Sequence, residues 1–321
     1  MANFVYTAVD HPLAVYGTFP TDINSSGQVI GYYQDGDYAS HYFIYDSDTQ
    51  VFTDLEYPGS DRTYLEDISD FGQVVGSYFN AGAGWDEFIN FVYDYEAGTY
   101  QSIESPFGVG LRGINAAGVM VGNTLSGGVI YENGVFTSYP SGIYFYDIND
   151  NGEVLGAYLG IWILYDLATD TFTALDLPFG NALAINDSGE FLGEFYYDLG
   201  SQSVGMVYDN STGTGIFARH PDAEFSSTSF QGLSDNDQIV GFYLDSVGTG
   251  FGFIGTLDST LPEEPQSTLP VAAGGTATIS TEFLLSTDNL SGPEGLTYTI
   301  LAAPNHGTLL LDGVETSTFE G

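Results

Sequence analysis

The amino-acid sequence predicts an all-β chain in which residues 1–257 form a six-bladed β-propeller closed by the N-terminal strand, followed by a partial β-sandwich. Three observations predict it: a hairpin motif that recurs six times, a proline-ended strand that recurs six times, and a one-strand offset between the two sets.

The hairpin motif reads DINSSGQVIG (Asp22 to Gly31), DISDFGQVVG (Asp67 to Gly76), GINAAGVMVG (Gly113 to Gly122), DINDNGEVLG (Asp147 to Gly156), AINDSGEFLG (Ala184 to Gly193) and GLSDNDQIVG (Gly232 to Gly241). The steps between closing glycines run from 34 to 48 residues, the size of a propeller blade. In each copy an apolar residue ends one strand, and Asn or Ser opens a tight turn through its side-chain acceptor. Gly then takes the left-handed position and β-branched residues begin the next strand. The second motif is an aromatic-led strand stopped by proline, as in YTAVDHP (Tyr6 to Pro12), FTDLEYP (Phe52 to Pro58) and FARHP (Phe217 to Pro221). An edge strand can spare the N–H that proline lacks, so this strand is the outermost of its blade.

The chain starts with a proline-ended strand and finishes its last repeat without one. The segment Asn3 to Pro12 is therefore expected to complete the last blade, which would remove a pair of open sheet edges. In this register the INxxG turns share one face, and the variable connections share the other. Residues 258–270, rich in Pro, Glu and Ser, are expected to be a linker, and residues 271–321 a partial sandwich.

Composition narrows the partners. Asp plus Glu number 43 against 3 Lys plus Arg, for a net charge of −40. Such a field repels nucleic acid and anionic headgroups, and it suits a salty medium that screens self-repulsion. A hydrophobic content of 43%, with 24 Tyr and 23 Phe, separates the chain from disordered acidic tails. There is no cysteine, hence no disulfide or thiolate chemistry. No apolar run is long enough to span a bilayer, so membrane insertion is not expected.

The INxxGxVVG turns, together with HYFIYD (His41 to Asp46) and FVYD (Phe91 to Asp94), resemble the extracellular HAF-type repeat family of bacteria. The resemblance covers Asn3 to Leu257 and implies a propeller-like fold and an extracellular or cell-surface location, with no particular chemistry. The segments GGTATIST, LTYTI and APNHGTLLLDG resemble the first half of a cadherin-like or chondroitin-sulfate-proteoglycan-like repeat of type I secreted bacterial adhesins. On that resemblance the chain is a piece of a longer multidomain protein, its propeller monomeric within it.

The scarce cations are the first candidate site. Arg62, Arg112 and Arg219 all fall on or near the variable connections, and Arg suits bidentate capture of a carboxylate, sulfate or phosphate. With Tyr64, Trp85 and His220 as stacking or hydrogen-bonding partners, they are expected to bind an anionic group of a glycan or other cell-surface ligand. The alternative is that each arginine neutralises nearby acids such as Asp61 and Asp222. Asp147, Asn149 and Asn151 space oxygens like the first half of a calcium loop. Tyr158 stands where the bidentate acid belongs and sister copies are plain hairpins, so calcium is only an expectation here, and a structural turn is the competing one.

The main function expected is a non-catalytic binding or adhesion module. Two rivals are kept: a glycosidase acting at the propeller mouth, and a purely structural spacer. Six-bladed sialidases resemble the outline, but their S-x-D-x-G-x-x-T-W turns are absent, and no nucleophile, acid and base can be placed.

Overall fold

The computed structural model describes residues 4–80, 88–105, 108–178, 180–197, 202–223, 228–257, 307–311 and 314–319. The chain divides into two compact units, Met1–Leu261 and Pro262–Gly321.

In the first unit the strands run β1 (Phe4–Ala8), β2 (Gly17–Ile23), β3 (Gln28–Gln34), β4 (Ser40–Asp46) and β5 (Val51–Asp54), then β6 (Arg62–Ile68), β7 (Gln73–Phe79), β8 (Ile89–Asp94) and β9 (Thr99–Ile103). They continue as β10 (Gly110–Ile114), β11 (Met120–Asn123), β12 (Gly128–Glu132), β13 (Val135–Ser138), β14 (Ile143–Ile148), β15 (Glu153–Tyr158), β16 (Ile161–Asp166) and β17 (Thr171–Ala174). The unit ends with β18 (Asn181–Ile185), β19 (Glu190–Tyr197), β20 (Gln202–Asp209), β21 (Thr214–Ala218), β22 (Thr228–Leu233), β23 (Gln238–Leu244) and β24 (Gly250–Leu257). In the second unit the described residues form one hairpin, β25 (Gly307–Leu311) with β26 (Val314–Phe319).

The expected ring of six separate blades needs correction. Four discrete four-stranded blades are present: β6 to β9, β10 to β13, β14 to β17 and β18 to β21. The other eight strands of the unit form one continuous sheet, ordered β22-β23-β24-β2-β3-β4-β5, with β1 pairing β24. The N-terminal strand thus joins a wide sheet instead of finishing a blade of its own. The physical reason is a pair of glycines. Gly17 of β2 and Gly250 of β24 meet in a parallel bridge, and a Cβ on Gly17 would stand 2.6 Å from the Gly250 nitrogen. With side chains on both, the two strands would be held apart and the sheet would split.

Each strand's alternation puts apolar residues between neighbouring sheets. Phe43, Phe91, Phe145, Phe191, Phe230 and Phe253 are the largest fully buried side chains. Of the closing glycines of the hairpin motif, Gly31, Gly76, Gly156 and Gly241 lie beneath such rings. At Gly76 a Cβ would collide with the Tyr64 carbonyl of the adjacent strand and come within 2.6 Å of the Phe91 ring. Gly76→Ala is therefore expected to cost about 3 kcal/mol through overpacking, read as a shift in the urea midpoint at unchanged slope. An unshifted midpoint would show that the neighbouring strand can give way.

Candidate functional site

The site begins with a feature common to the six strands that lead into the hairpin motifs, β2, β6, β10, β14, β18 and β22. Each carries one β-bulge at the same place, skipping Thr21, Glu66, Arg112, Tyr146, Leu183 and Gln231 in turn. A bulge breaks the strict alternation of a strand and re-aims the extra side chain. Consecutive residues such as Glu66 and Asp67, or Tyr146 and Asp147, can therefore face the same space.

That space is a cavity of about 290 Å³, lined by all six bulge residues together with Asp22, Leu65, Asp67, Asp147, Asn181, Ala182 and Ala184. Glu66, Arg112 and Tyr146 are solvent-exposed within it. Loss of hydration raises the Glu66 carboxyl above its usual value, and the Arg112 guanidinium opposes that rise. The size is that of a small-molecule site.

Beneath the bulge residues the inner strands are stitched to one another. Asp22 Oδ2 accepts the Ile68 N–H at 3.0 Å, Asp67 Oδ2 accepts the Ile114 N–H at 2.6 Å and Asp147 Oδ2 accepts the Ile185 N–H at 2.8 Å. Where this position is Gly113 or Gly232 the neighbouring strand fills the space: a Cβ on Gly113 would lie 3.2 Å from the Asp147 Cα. The asparagines of the hairpin motif form a further layer. Asn149 Oδ1 closes its own turn by accepting the Glu153 N–H at 2.9 Å, while its Nδ2 donates to the Asn186 carbonyl of the next repeat at 3.0 Å. Asn24 donates likewise to the Ser69 carbonyl, and Asn115 to the Asn149 carbonyl. Asp70, Asp150, Asp187 and Asp235 accept N–H groups from Ser25, Ala116, Asp150 and Asp187, around a narrower space of about 50 Å³.

These bonds define the chemistry of the buried carboxyls. Burial, the largest cause, raises Asp22 to about 6, and it raises Asp67 and Asp147 well above the carboxylate range, with mutual repulsion adding to the rise in the latter two. The Asp22 and Asp67 carboxyls also hydrogen-bond each other. A raised carboxyl in a cavity suits a general acid, but each of these oxygens is held by backbone N–H groups and serves the frame.

The residues expected from sequence separate. Arg112 lines the cavity, whereas Arg62 and Arg219 do not. Arg62 is the exposed first residue of β6. Arg219 follows β21, where its Nη2 donates to the Ala223 carbonyl at 3.4 Å. Tyr64 packs edge-on against Tyr42, with centroids 5.6 Å apart. His220 is buried, stacked on Tyr243 at 4.2 Å, and its Nδ1 accepts the Asp222 N–H. Trp85 lies outside the described residues. The oxygens of Asp147 and Asn149 are taken up by the Ile148, Ile185 and Glu153 N–H groups, and Asn151 Nδ2 donates to the Asp187 carbonyl. These bonds serve the turn and its interstrand contacts. Among the described residues no group of three or more His, Cys, Asp or Glu is arranged to hold a metal ion.

Sequence reasoning missed the bulge residues. The available signal was the position just before the Asp, Gly or Ala that opens each hairpin motif, occupied in turn by Thr, Glu, Arg, Tyr, Leu and Gln.

No family model matches the chain, and no curated protein does. Several solved structures are similar to it. The β-propeller domain of the Trilobed protease from Pyrococcus furiosus is 13% identical, covering 73% of this chain and 78% of that one, with a TM-score of 0.47. TolB from Acinetobacter baumannii is 12% identical over 74% of this chain and 63% of that one, with a TM-score of 0.48. An oligogalacturonate lyase in complex with manganese is 12% identical over 81% and 99%, also with a TM-score of 0.48. The protein is an all-β β-propeller, a class its own sheet arrangement defines.

Proposed function

We propose that the propeller is a non-catalytic binding module that takes a sugar residue of a neutral glycan into the 290 Å³ cavity at its mouth. The observation that carries this reading is the set of bulge side chains facing that cavity. Sugar hydroxyls are both donors and acceptors, and planar polar groups recognise them best. Arg112 supplies paired donors, Glu66 an acceptor, Gln231 and Asn181 both, and the Tyr146 ring an apolar face. The expected anionic group fits less well than a neutral ring, because Arg112 is accompanied by the Glu66 and Asp22 carboxyls. The carboxyls tied to the frame favour binding over turnover. The resemblance of the hairpin motif to extracellular repeats, together with a net charge of −40 that calls for screening, supports placement in a secreted or cell-surface protein.

Arg112→Ala is expected to weaken binding of neutral monosaccharides at least about tenfold by titration calorimetry, the loss of roughly one charge-assisted hydrogen bond. Unchanged affinity for every sugar that the wild-type protein binds would overturn the reading.

A further inference from the structure

The turn between β3 and β4 holds a tyrosine where its backbone favours glycine. In Asp35-Gly36-Asp37-Tyr38-Ala39, Asp35 Oδ1 accepts the N–H groups of Asp37 and Ala39 at 2.9 and 3.0 Å, and Tyr38 sits at φ 63°. The turn between β23 and β24 is built the same way: Asp245 Oδ1 accepts the Val247 and Thr249 N–H groups, both at 2.9 Å. There the matching residue is Gly248, at φ 88°. A bulky residue in the left-handed region is an uncommon, strained choice, and such strain concentrates at functional positions. Core packing does not explain it, since Tyr38 is 65% exposed. Its ring stacks on that of Tyr16, with centroids 3.7 Å apart and planes 12° from parallel.

The result is a flat double ring, its Tyr38 set in the Asp35 turn and its Tyr16 preceded by the exposed Val15. Tyr16 immediately precedes β2, whose bulge residue Thr21 lines the cavity five residues on. At about 3.3 Å per residue the platform stands about 16 Å up the same strand from the cavity wall, on the face where the inner strands enter. A chain of linked rings can reach from one to the other.

We propose that Tyr16 and Tyr38 form a rim subsite that stacks a second ring of the glycan, so that the ligand is an extended oligosaccharide and not a single sugar. The inference rests on the cavity reading above and adds its partner's length. The apolar face of a pyranose matches an exposed tyrosine ring, whereas Asp35, Asp37 and the overall charge turn away a nucleobase carrying phosphate.

The test uses the full chain, an array of neutral gluco-, manno-, galacto- and xylo-oligosaccharides of two to six units, and the matching monosaccharides. Tyr38→Gly copies the sister turn, so its melting temperature is expected to equal or exceed the wild-type value. Its affinity for the longest oligosaccharide bound should fall about tenfold, with monosaccharide affinity unchanged. Wild-type affinity that does not rise with chain length, or oligosaccharide affinity untouched in Tyr38→Gly, would overturn the rim subsite while leaving the cavity standing. Arg112→Ala that keeps full affinity while Tyr38→Gly loses it would overturn the cavity and leave the rim. Weakened binding of an arginine-rich peptide, but of no oligosaccharide, in Tyr38→Gly would overturn the sugar assignment.

Discussion

Removal of residues 1–12 is expected to lower the melting temperature by at least about 10 °C or to abolish cooperative unfolding. β1 pairs with β24 along its whole length, from Phe4 opposite Leu257 to Ala8 opposite Phe253. Beyond the strand, the Val9 N–H donates to the Gly252 carbonyl at 2.9 Å. Phe4, Val9 and His11 are buried, and Tyr6 meets Phe253 edge-on at 5.1 Å. His11 stacks on Tyr33 at 3.8 Å, on the far side of the Gly17–Gly250 bridge, so the segment clamps both halves of the wide sheet. Each large apolar side chain lost is worth about 1.5–3 kcal/mol. The sum approaches the whole stability of an ordinary domain, and it would leave Phe253 to Leu257 of β24 without a partner on that side. A differential scanning trace superposable on that of the full chain would refute this account.

The second large effect is a stability that falls as pH rises from 5 to 8. Burial raises Asp22 and Asp235 to about 6 and Glu190 to about 7, and it raises Asp67 and Asp147 further above the ordinary range. A carboxyl that holds its proton more tightly in the native state stabilises fully below its unfolded value of 3.8 and loses that contribution as pH climbs through its folded one. At about 1.4 kcal/mol per unit, Asp22 alone accounts for on the order of 3 kcal/mol between 3.8 and its folded value of about 6, of which about 1.4 kcal/mol falls above pH 5. His11 and His220 act in the opposite sense. Burial lowers both below 6.5, so they keep their contribution above that pH and lose it as acid is added. Two histidines are outnumbered by the raised carboxyls. Melting temperature should therefore be higher at pH 5 than at pH 8 by about 5–10 °C. Added salt at pH 8 should recover part of the difference by screening the net charge of −40. Asp22→Ala separates this mechanism from general repulsion: it should cost more at pH 5 than at pH 8. Equal cost at both would exclude a role for that proton.

Much of the frame could be read from the repeats, because turn chemistry is local. The Asn or Ser of each motif must accept a hydrogen bond from its own turn, and Asn24, Ser69, Asn115, Asn149, Asn186 and Ser234 all do so, from residues four positions on. The donor half of the same amides was not legible, since it depends on which carbonyl the next repeat presents. The merging of eight strands also escaped, because Gly17 and Gly250 lie 233 positions apart and nothing local pairs them. For the site, the scarcity of cations led to Arg112 and stopped there. Arg62 and Arg219 share its chemistry without its place on a bulge. The Asp147, Asn149 and Asn151 spacing does not separate a cation loop from an interstrand clasp, because both need short oxygen-bearing side chains at alternate positions.

The bulges divide labour between neighbours. At each of these strands one residue stays in the ladder, as Asp67 does beside its bond to Ile114, while the residue just before it is skipped by the ladder. Thr21, Glu66, Arg112, Tyr146, Leu183 and Gln231 are thus six interchangeable sockets around one opening. A lineage can rewrite them, and with them the preferred ligand, while leaving the interstrand bonds of Asp22, Asp67 and Asp147 in place.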